Sequence, residues 1–213
     1  MSVRVAKSAG FCFGVSRAVE LVQSSAAAGK RTVTLGPIIH NRHVVKAFTE
    51  AGVGVIDSPE EANPGDTVII RSHGVGREVY RRLEERGAEI VDATCPFVKR
   101  IHGLVSQAEE EGRLPIIIGT PTHPEVEGIA GWCGHCKVFD SAEALKKWVQ
   151  DEQIDADLPI CMVCQTTSTE SLWKICRNFA KKQFTNLKIF DTICKATEDR
   201  QTEAALLSRR SQA

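Results

Sequence analysis

The hydrophobic positions of the chain follow two rhythms. In the first, Val15, Ala18, Val19 and Val22, and again Val98, Ile101, His102 and Val105, fall at the i, i+3, i+4, i+7 spacing of one helix face. Gly29 and Gly112 close these runs as helix stops. In the second, short β-branched stretches bounded by turn residues predict strands over 32–35, 67–71, 89–93, 114–118, 158–163 and 188–192. A further strand is expected over 3–6, and charged helices over 77–86, 169–182 and 197–209. Strands alternating with helices predict parallel sheets made of βαβ units, with ligand-binding residues gathered at the carboxyl ends of the strands.

The two helical runs belong to a longer repeat. Laid over each other without a gap, the segments starting at Cys12 and Cys95 share eight identities in twenty-nine positions. Both carry Val at +3, Arg at +5, Leu-Val at +9 and +10, and Gly at +17. Both then carry Gly at +24 and His at +28, which are His40 and His123. The shared grammar is cysteine, helix, glycine, strand, loop, histidine. Asp92-Ala-Thr-Cys95-Pro has a cousin in Asp191-Thr-Ile-Cys194-Lys, so a third unit opens at Cys194. Residue 213 is only its position +19. The third unit is therefore expected to be incomplete, with the chain a C-terminally truncated form.

Composition narrows the class of partner. The chain has 213 residues, 42% of them apolar, and its 27 basic residues balance 27 acidic ones. That leaves no bulk field to gather nucleic acid or an anionic membrane, so an anion site must be built locally. No run is long enough for a spanning helix or a secretory signal, and a cytoplasmic location is expected. In that compartment eight cysteines read as metal ligands, catalytic thiols or buried apolar residues before disulfides.

Three cysteines at strand-to-helix junctions, in three related units, can point at one centre if the units pack around a pseudo-threefold axis. Three thiolates suit a [4Fe–4S] cluster with one iron left open to substrate; the competing reading is three buried apolar cysteines. His40, His73 and His123 all lie in loops after strands and can donate to a small polyanion, pointing to a phosphorylated substrate. Taken singly, each would be an ordinary surface histidine. Glu125 sits in the same loop as His123 and is the candidate proton donor or relay, against a solvated loop acid. Thr166 and Thr167 can hydrogen-bond a substrate hydroxyl or cap the following helix.

Seven motifs in order, from Gly10-Phe-Cys12-Phe-Gly-Val15 onward, resemble the LytB family of 4-hydroxy-3-methylbut-2-enyl diphosphate reductases. The others are Gly36-Pro-Ile-Ile-His40-Asn41, Arg71-Ser-His73-Gly-Val75, Asp92-Ala-Thr-Cys95-Pro96, His123-Pro-Glu125-Val-Glu-Gly128, Gln165-Thr166-Thr167 and Thr192-Ile-Cys194-Lys-Ala-Thr-Glu-Asp-Arg-Gln201. The resemblance implies an α/β fold, a pseudo-threefold trefoil with small, mostly parallel sheets around a central iron–sulfur cluster. The first lobe would span 14–95 and the second 96–193, with 1–13 and 194–213 in a partial third. One [4Fe–4S] cluster per chain would sit on Cys12, Cys95 and Cys194. His40, His73 and His123 would hold the diphosphate, Glu125 would relay protons, and Thr166 would assist it. Two electrons and two protons would remove the substrate hydroxyl as water, giving isopentenyl and dimethylallyl diphosphates. The implied partners are a small diphosphate substrate and a ferredoxin or flavodoxin donor, with no nucleic acid, no membrane and a monomeric chain. Family members carry a Ser-x-Asn diphosphate loop further on, so the 213-residue chain alone is expected to bind cluster poorly and show little or no turnover.

The alternative is a zinc-binding structural or interaction protein. Cys133-Gly-His-Cys136 and Cys161-Met-Val-Cys164 form two CxxC pairs separated by twenty-four residues. Cys161 and Cys164 fall within an expected strand, where residues three apart face opposite sides, which disfavours shared ligation.

Overall fold

The computed structural model describes residues 3–210. The first half runs α1 (Phe13–Ala27), β1 (Thr32–Leu35), α2 (Arg42–Glu50), β2 (Gly54–Ile56), a 3₁₀ turn (Pro59–Glu61), β3 (Thr67–Ile70), α3 (Arg77–Glu85) and β4 (Glu89–Asp92). The second runs α4 (Pro96–Glu110), β5 (Leu114–Ile118), α5 (Pro124–Ala130), β6 (Lys137–Phe139), α6 (Ala142–Asp151), β7 (Ile160–Cys164), α7 (Glu170–Gln183), β8 (Leu187–Ile189) and α8 (Lys195–Arg210). Each half holds one four-stranded parallel sheet, in the order β2-β1-β3-β4 and β6-β5-β7-β8. The repeat seen in the sequence is thus a repeat of topology: α6 occupies in the second lobe the place of the 3₁₀ turn in the first.

Local chemistry accounts for the boundaries. α1 and α4 are both fifteen residues long. Gly29 and Gly112, at φ +79° and +69°, terminate them in the left-handed conformation that glycine adopts without strain. The Asn41 side chain accepts from the N–H groups of His43 and Val44, Ser141 from that of Ala144 and Thr169 from that of Leu172, capping α2, α6 and α7.

The central strands β1, β3 and β7 are buried along their whole length and β5 from Pro115 onward, as expected for parallel sheets covered by helices on both faces. In β5, Ile116 and Ile118 pack with Leu145, Trp148 and Trp173 on one face, while Ile117 packs with Ile101, Val105, Val126 and Ile129 on the other. Each such fully buried side chain contributes about 1.5–3 kcal/mol of transfer free energy.

Two expectations are corrected. Residues 3–6 form no strand: Val3 and Val5 are exposed, and the backbone there joins neither sheet. The four-cysteine zinc site is also excluded, because Cys161 lies with Ile117 on one face of the second sheet and Cys164 with Trp173 on the other.

The two lobes meet through glycines. A Cβ on Gly131 would lie 2.6 Å from the Gly76 Cα, so only the absence of side chains lets the backbones approach. Arg77 N–H donates to the Gly131 carbonyl (3.1 Å) and Trp132 Nε1–H to that of Val75 (2.8 Å) across the same seam. Among the described residues no helix is long and apolar enough to cross a membrane.

Candidate functional site

The three cysteines stand at equivalent places. Cys12 and Cys95 are the N-cap residues of α1 and α4 and make no side-chain cap, leaving their thiols free for other work. Cys194 directly precedes α8, with its Sγ 3.0 Å from Thr197 Oγ1. All three are half-buried. Gly14 has no Cβ where one would come within 2.6 Å of Cys95 Sγ, which draws the start of α1 against that thiol. Burial pushes the Cys95 thiol above its usual pKa, and Cys12 and Cys194 push it further, while the N–H groups of Phe97 and Val98 oppose the rise. Cys95 is therefore within electrostatic reach of both Cys12 and Cys194.

Three soft donors, each at a helix N-terminus and two of them opposing ionisation of the third, fit a group that is cationic and binds thiolates. Among the described residues no three His, Cys, Asp or Glu side chains close around a single metal ion. Three soft thiol donors at helix starts fit an iron–sulfur cluster, which thiolates hold. Phe11, Phe13 and Phe97, beside Cys12 and Cys95, are exposed.

The histidines come from three loops, after β1, β3 and β5. Ring centroids lie 4.4 Å apart for His40 and His73, 5.7 Å for His73 and His123, and 5.9 Å for His40 and His123. Burial, then the other two histidines, then Arg71 drive the His73 pKa down to about 3. His123 is lowered by burial, His40 and Arg71. The Nδ1 of His123 accepts the Glu125 N–H (3.1 Å), which leaves Nε2 as that ring's donor. His73 Nδ1 and Arg71 Nε are buried without a protein partner, as groups awaiting a polar ligand would be. Cys12, His40, His73 and Arg200 line one open pocket of about 260 Å³.

Glu125, on the first turn of α5, is 2% exposed. Its Oε1 accepts the Thr166 N–H at 2.6 Å, and its Oε2 lies 2.7 Å from Thr166 Oγ1. Burial holds the carboxyl above the usual carboxylate range, with the two Thr166 hydrogen bonds opposing. Thr167, by contrast, bonds to the Gln165 side chain at 2.7 Å.

Backbone bonds lock the sulfur and histidine groups together. Cys95 N–H donates to the Ser72 carbonyl (2.9 Å), next to His73, and Cys194 N–H to that of Thr166 (3.0 Å). Thr192 Oγ1 donates to the Cys164 carbonyl and accepts its N–H, fixing the segment that leads to Cys194. On the other side, Glu203 of α8 accepts from Lys7 N–H, Ser8 N–H and Ser8 Oγ, and Arg200 donates to the carbonyls of Ser8 and Gly10. These contacts bring Cys12 towards Cys194. Sequence reasoning missed Arg71, Arg200, Glu203 and Thr192 as supports. Arg71, Thr192 and Arg200 stand inside the motifs quoted above, and Glu203 lies two residues beyond the last of them.

The arrangement has close parallels. The LytB protein family matches residues 3–213. The 4-hydroxy-3-methylbut-2-enyl diphosphate reductase of Caldanaerobacter subterraneus subsp. tengcongensis is 40% identical over 99% of this chain and 73% of its own length. The protein of that name from Clostridioides difficile is 37% identical over 98% and 74%. A solved (E)-4-hydroxy-3-methyl-but-2-enyl diphosphate reductase, described as the terminal enzyme of the non-mevalonate pathway, superposes with a TM-score of 0.80 at 35% identity, covering 98% of this chain and 73% of that one. The Plasmodium falciparum E-1-hydroxy-2-methyl-but-2-enyl-4-diphosphate reductase gives 0.88 at 26% identity, covering 94% and 63%. With a family match over residues 3–213 and relatives about 40% identical over nearly its whole length, this chain belongs to the LytB family.

Proposed function

We propose that this chain converts (E)-4-hydroxy-3-methylbut-2-enyl diphosphate to isopentenyl and dimethylallyl diphosphates by reductive dehydroxylation, with a [4Fe–4S] cluster held by Cys12, Cys95 and Cys194. The observation that carries this reading is one juxtaposition. Of three free thiols at helix starts, two are tied through the Cys95–Ser72 and Cys194–Thr166 backbone bonds to an imidazole trio and a buried carboxyl, and Cys12 lines one pocket with His40 and His73. When bound, the cluster supplies the electrons that break the allylic C–O bond.

The chain's own residues do the rest. His40, His73 and His123 hold the diphosphate. Burial and the neighbouring rings depress the proton affinity of His73 and His123, and an anion beside them opposes that, so binding recruits protons to the site. Glu125, kept towards its protonated form by burial, donates a proton to the departing hydroxyl, which leaves as water. Thr166 orients the carboxyl through both of its oxygens and passes the proton onward. The exposed rings of Phe11, Phe13 and Phe97 offer an apolar face to a small electron carrier, ferredoxin or flavodoxin. The same reading groups 14–95 and 96–193 as lobes and 1–13 with 194–213 as part of a third; its support is the clamp of α8 on residues 7–10.

Anaerobic reconstitution with ferrous iron and sulfide tests the proposal. It is expected to give a brown protein with roughly four irons per chain. Cys133→Ser should retain them, while Cys12→Ser and Cys95→Ser should lose them. Reconstituted protein supplied with a reduced viologen should convert the diphosphate, against the expectation, taken from the resemblance alone, of poor cluster binding and little or no turnover. A wild-type chain that takes up no iron, or Cys12→Ser and Cys95→Ser variants that load normally, would overturn it.

A further inference from the structure

The repeat places an arginine five residues after each of two cysteines, Arg17 on α1 and Arg100 on α4, and the site described above uses neither. Arg100 is exposed. Arg17 is half-buried and reaches across to the segment that ends in Cys95. Its Nη2 donates to the Asp92 carbonyl at 3.1 Å and its Nη1 to the Thr94 carbonyl at 3.3 Å.

Those two carbonyls need a partner from outside the sheet. β4 is an edge strand, and on the segment running on from it Ala93 N–H donates inward to the Ile70 carbonyl and Cys95 N–H to that of Ser72. Alternation along extended backbone then turns the carbonyls of Asp92 and Thr94 outward. A planar guanidinium meets both at once, where an ammonium offers only a point charge. The Asp92 carboxylate is engaged elsewhere, accepting from Thr94 N–H, the Tyr80 hydroxyl and Lys99. Residues 92–95 are thus bonded through backbone and side chains alike. Arg200 makes a parallel contact: six residues after Cys194, on α8, it donates to the carbonyls of Ser8 (3.2 Å) and Gly10 (2.6 Å), ahead of Cys12. Each arginine stands on the helix that follows one cysteine and forks onto the segment that precedes another.

We propose that Arg17 is a positioning residue for the thiol site: its fork fixes the segment carrying Cys95 against the helix that starts at Cys12, and so sets the spacing of those two thiols. Gly14 on the same helix, where a Cβ would lie 2.6 Å from Cys95 Sγ, shows how closely the two are drawn together. The proposal rests on the reading that these cysteines hold the cluster. Groups that orient a metal's ligands control its retention by about 10–100-fold.

Two measurements on Arg17→Gln test it. In the iron-free chain, amide exchange of the fragment containing Ala93 and Cys95 should quicken by about tenfold or more, with fragments from β1 and β5 unchanged. In reconstituted protein, iron should pass to a chelator about 10–100 times faster than from the wild type. Arg17→Lys, which keeps the charge without the fork, should recover only part of either loss. Arg31→Gln breaks the ion pair with Asp66 in the same lobe; it supplies the comparison for a purely structural role and should leave both readouts near wild type. Unchanged exchange at 93–95 in Arg17→Gln would overturn the proposal. So would iron loss no faster than from Arg31→Gln. The exchange measurement needs no iron: a wild-type chain that loads none overturns the cluster reading, and exchange then decides the positioning of Cys95 by itself.

Discussion

At Glu125 a single side chain carries both a structural and a chemical duty. Its carboxyl is buried and bonded only to Thr166 within the protein, so Glu125→Gln can keep the shape and hydrogen bonds while losing the proton. Turnover by cluster-loaded protein should fall by ~10²-fold with iron content unchanged. Steady-state kinetics beside an iron assay checks this. The buried histidines make a second prediction at this scale. Burial lowers His102 to about 4, with Asp92 opposing and Lys99 assisting, and His73 is lowered to about 3. Both rings are neutral in the folded chain over a range where the unfolded chain takes up protons. Stability should therefore be fullest above the ordinary histidine pKa, near 6.5, and fall as pH drops towards 4 and then 3, by up to about 1.4 kcal/mol per pH unit for each ring. Urea titrations across that interval test the sign, and His102→Gln should flatten the slope.

At the scale of elements, the seam between α3 and α5 depends on two facing glycines. Gly131→Ala would put a Cβ 2.6 Å from the Gly76 Cα, and since both partners are backbone the segments must part. The expected cost is about 1–3 kcal/mol. His123 sits one residue before α5 and should move from His73, weakening diphosphate binding, which chemical denaturation and calorimetry with pyrophosphate can measure. The clamp of α8 on the N-terminal segment makes a separate prediction. Glu203→Ala removes the acceptor for Lys7 N–H, Ser8 N–H and Ser8 Oγ. Cys12 should then be less well placed, and iron should be lost to a chelator faster than from the wild type, with helix content unchanged by circular dichroism.

For the molecule as a whole, two copies of one sheet order place the loops after β1, β3, β5 and β7 on a common site, and α8 brings Cys194 to it. The sheets are the rigid part of this arrangement. Ile117→Ala, in the middle of β5 and fully buried, should cost about 2–5 kcal/mol by thermal or urea unfolding, the range for emptying a core site.

Local features were legible in the sequence because neighbouring residues create them. The spacing of Val15, Ala18 and Val22 makes a helix face, Gly29 and Gly112 stop their helices, and the β-branched runs at 32–35 and 114–118 make buried strands. The overlay of Cys12 on Cys95 and of His40 on His123 was visible for the same reason, since each copy repeats one local grammar. Residues 3–6 show the limit of that reasoning. Their β-branched pattern is real, yet no sheet edge is offered to them, and the following residues are held instead by Glu203 and Arg200, almost two hundred positions away. Likewise the sequence marked Glu125 and Thr166 as candidates, but the bond between them and the contact of three imidazoles arise from packing. Burial and the mutual approach of charges set the proton affinities of these groups, and both depend on distances that the tertiary structure alone decides.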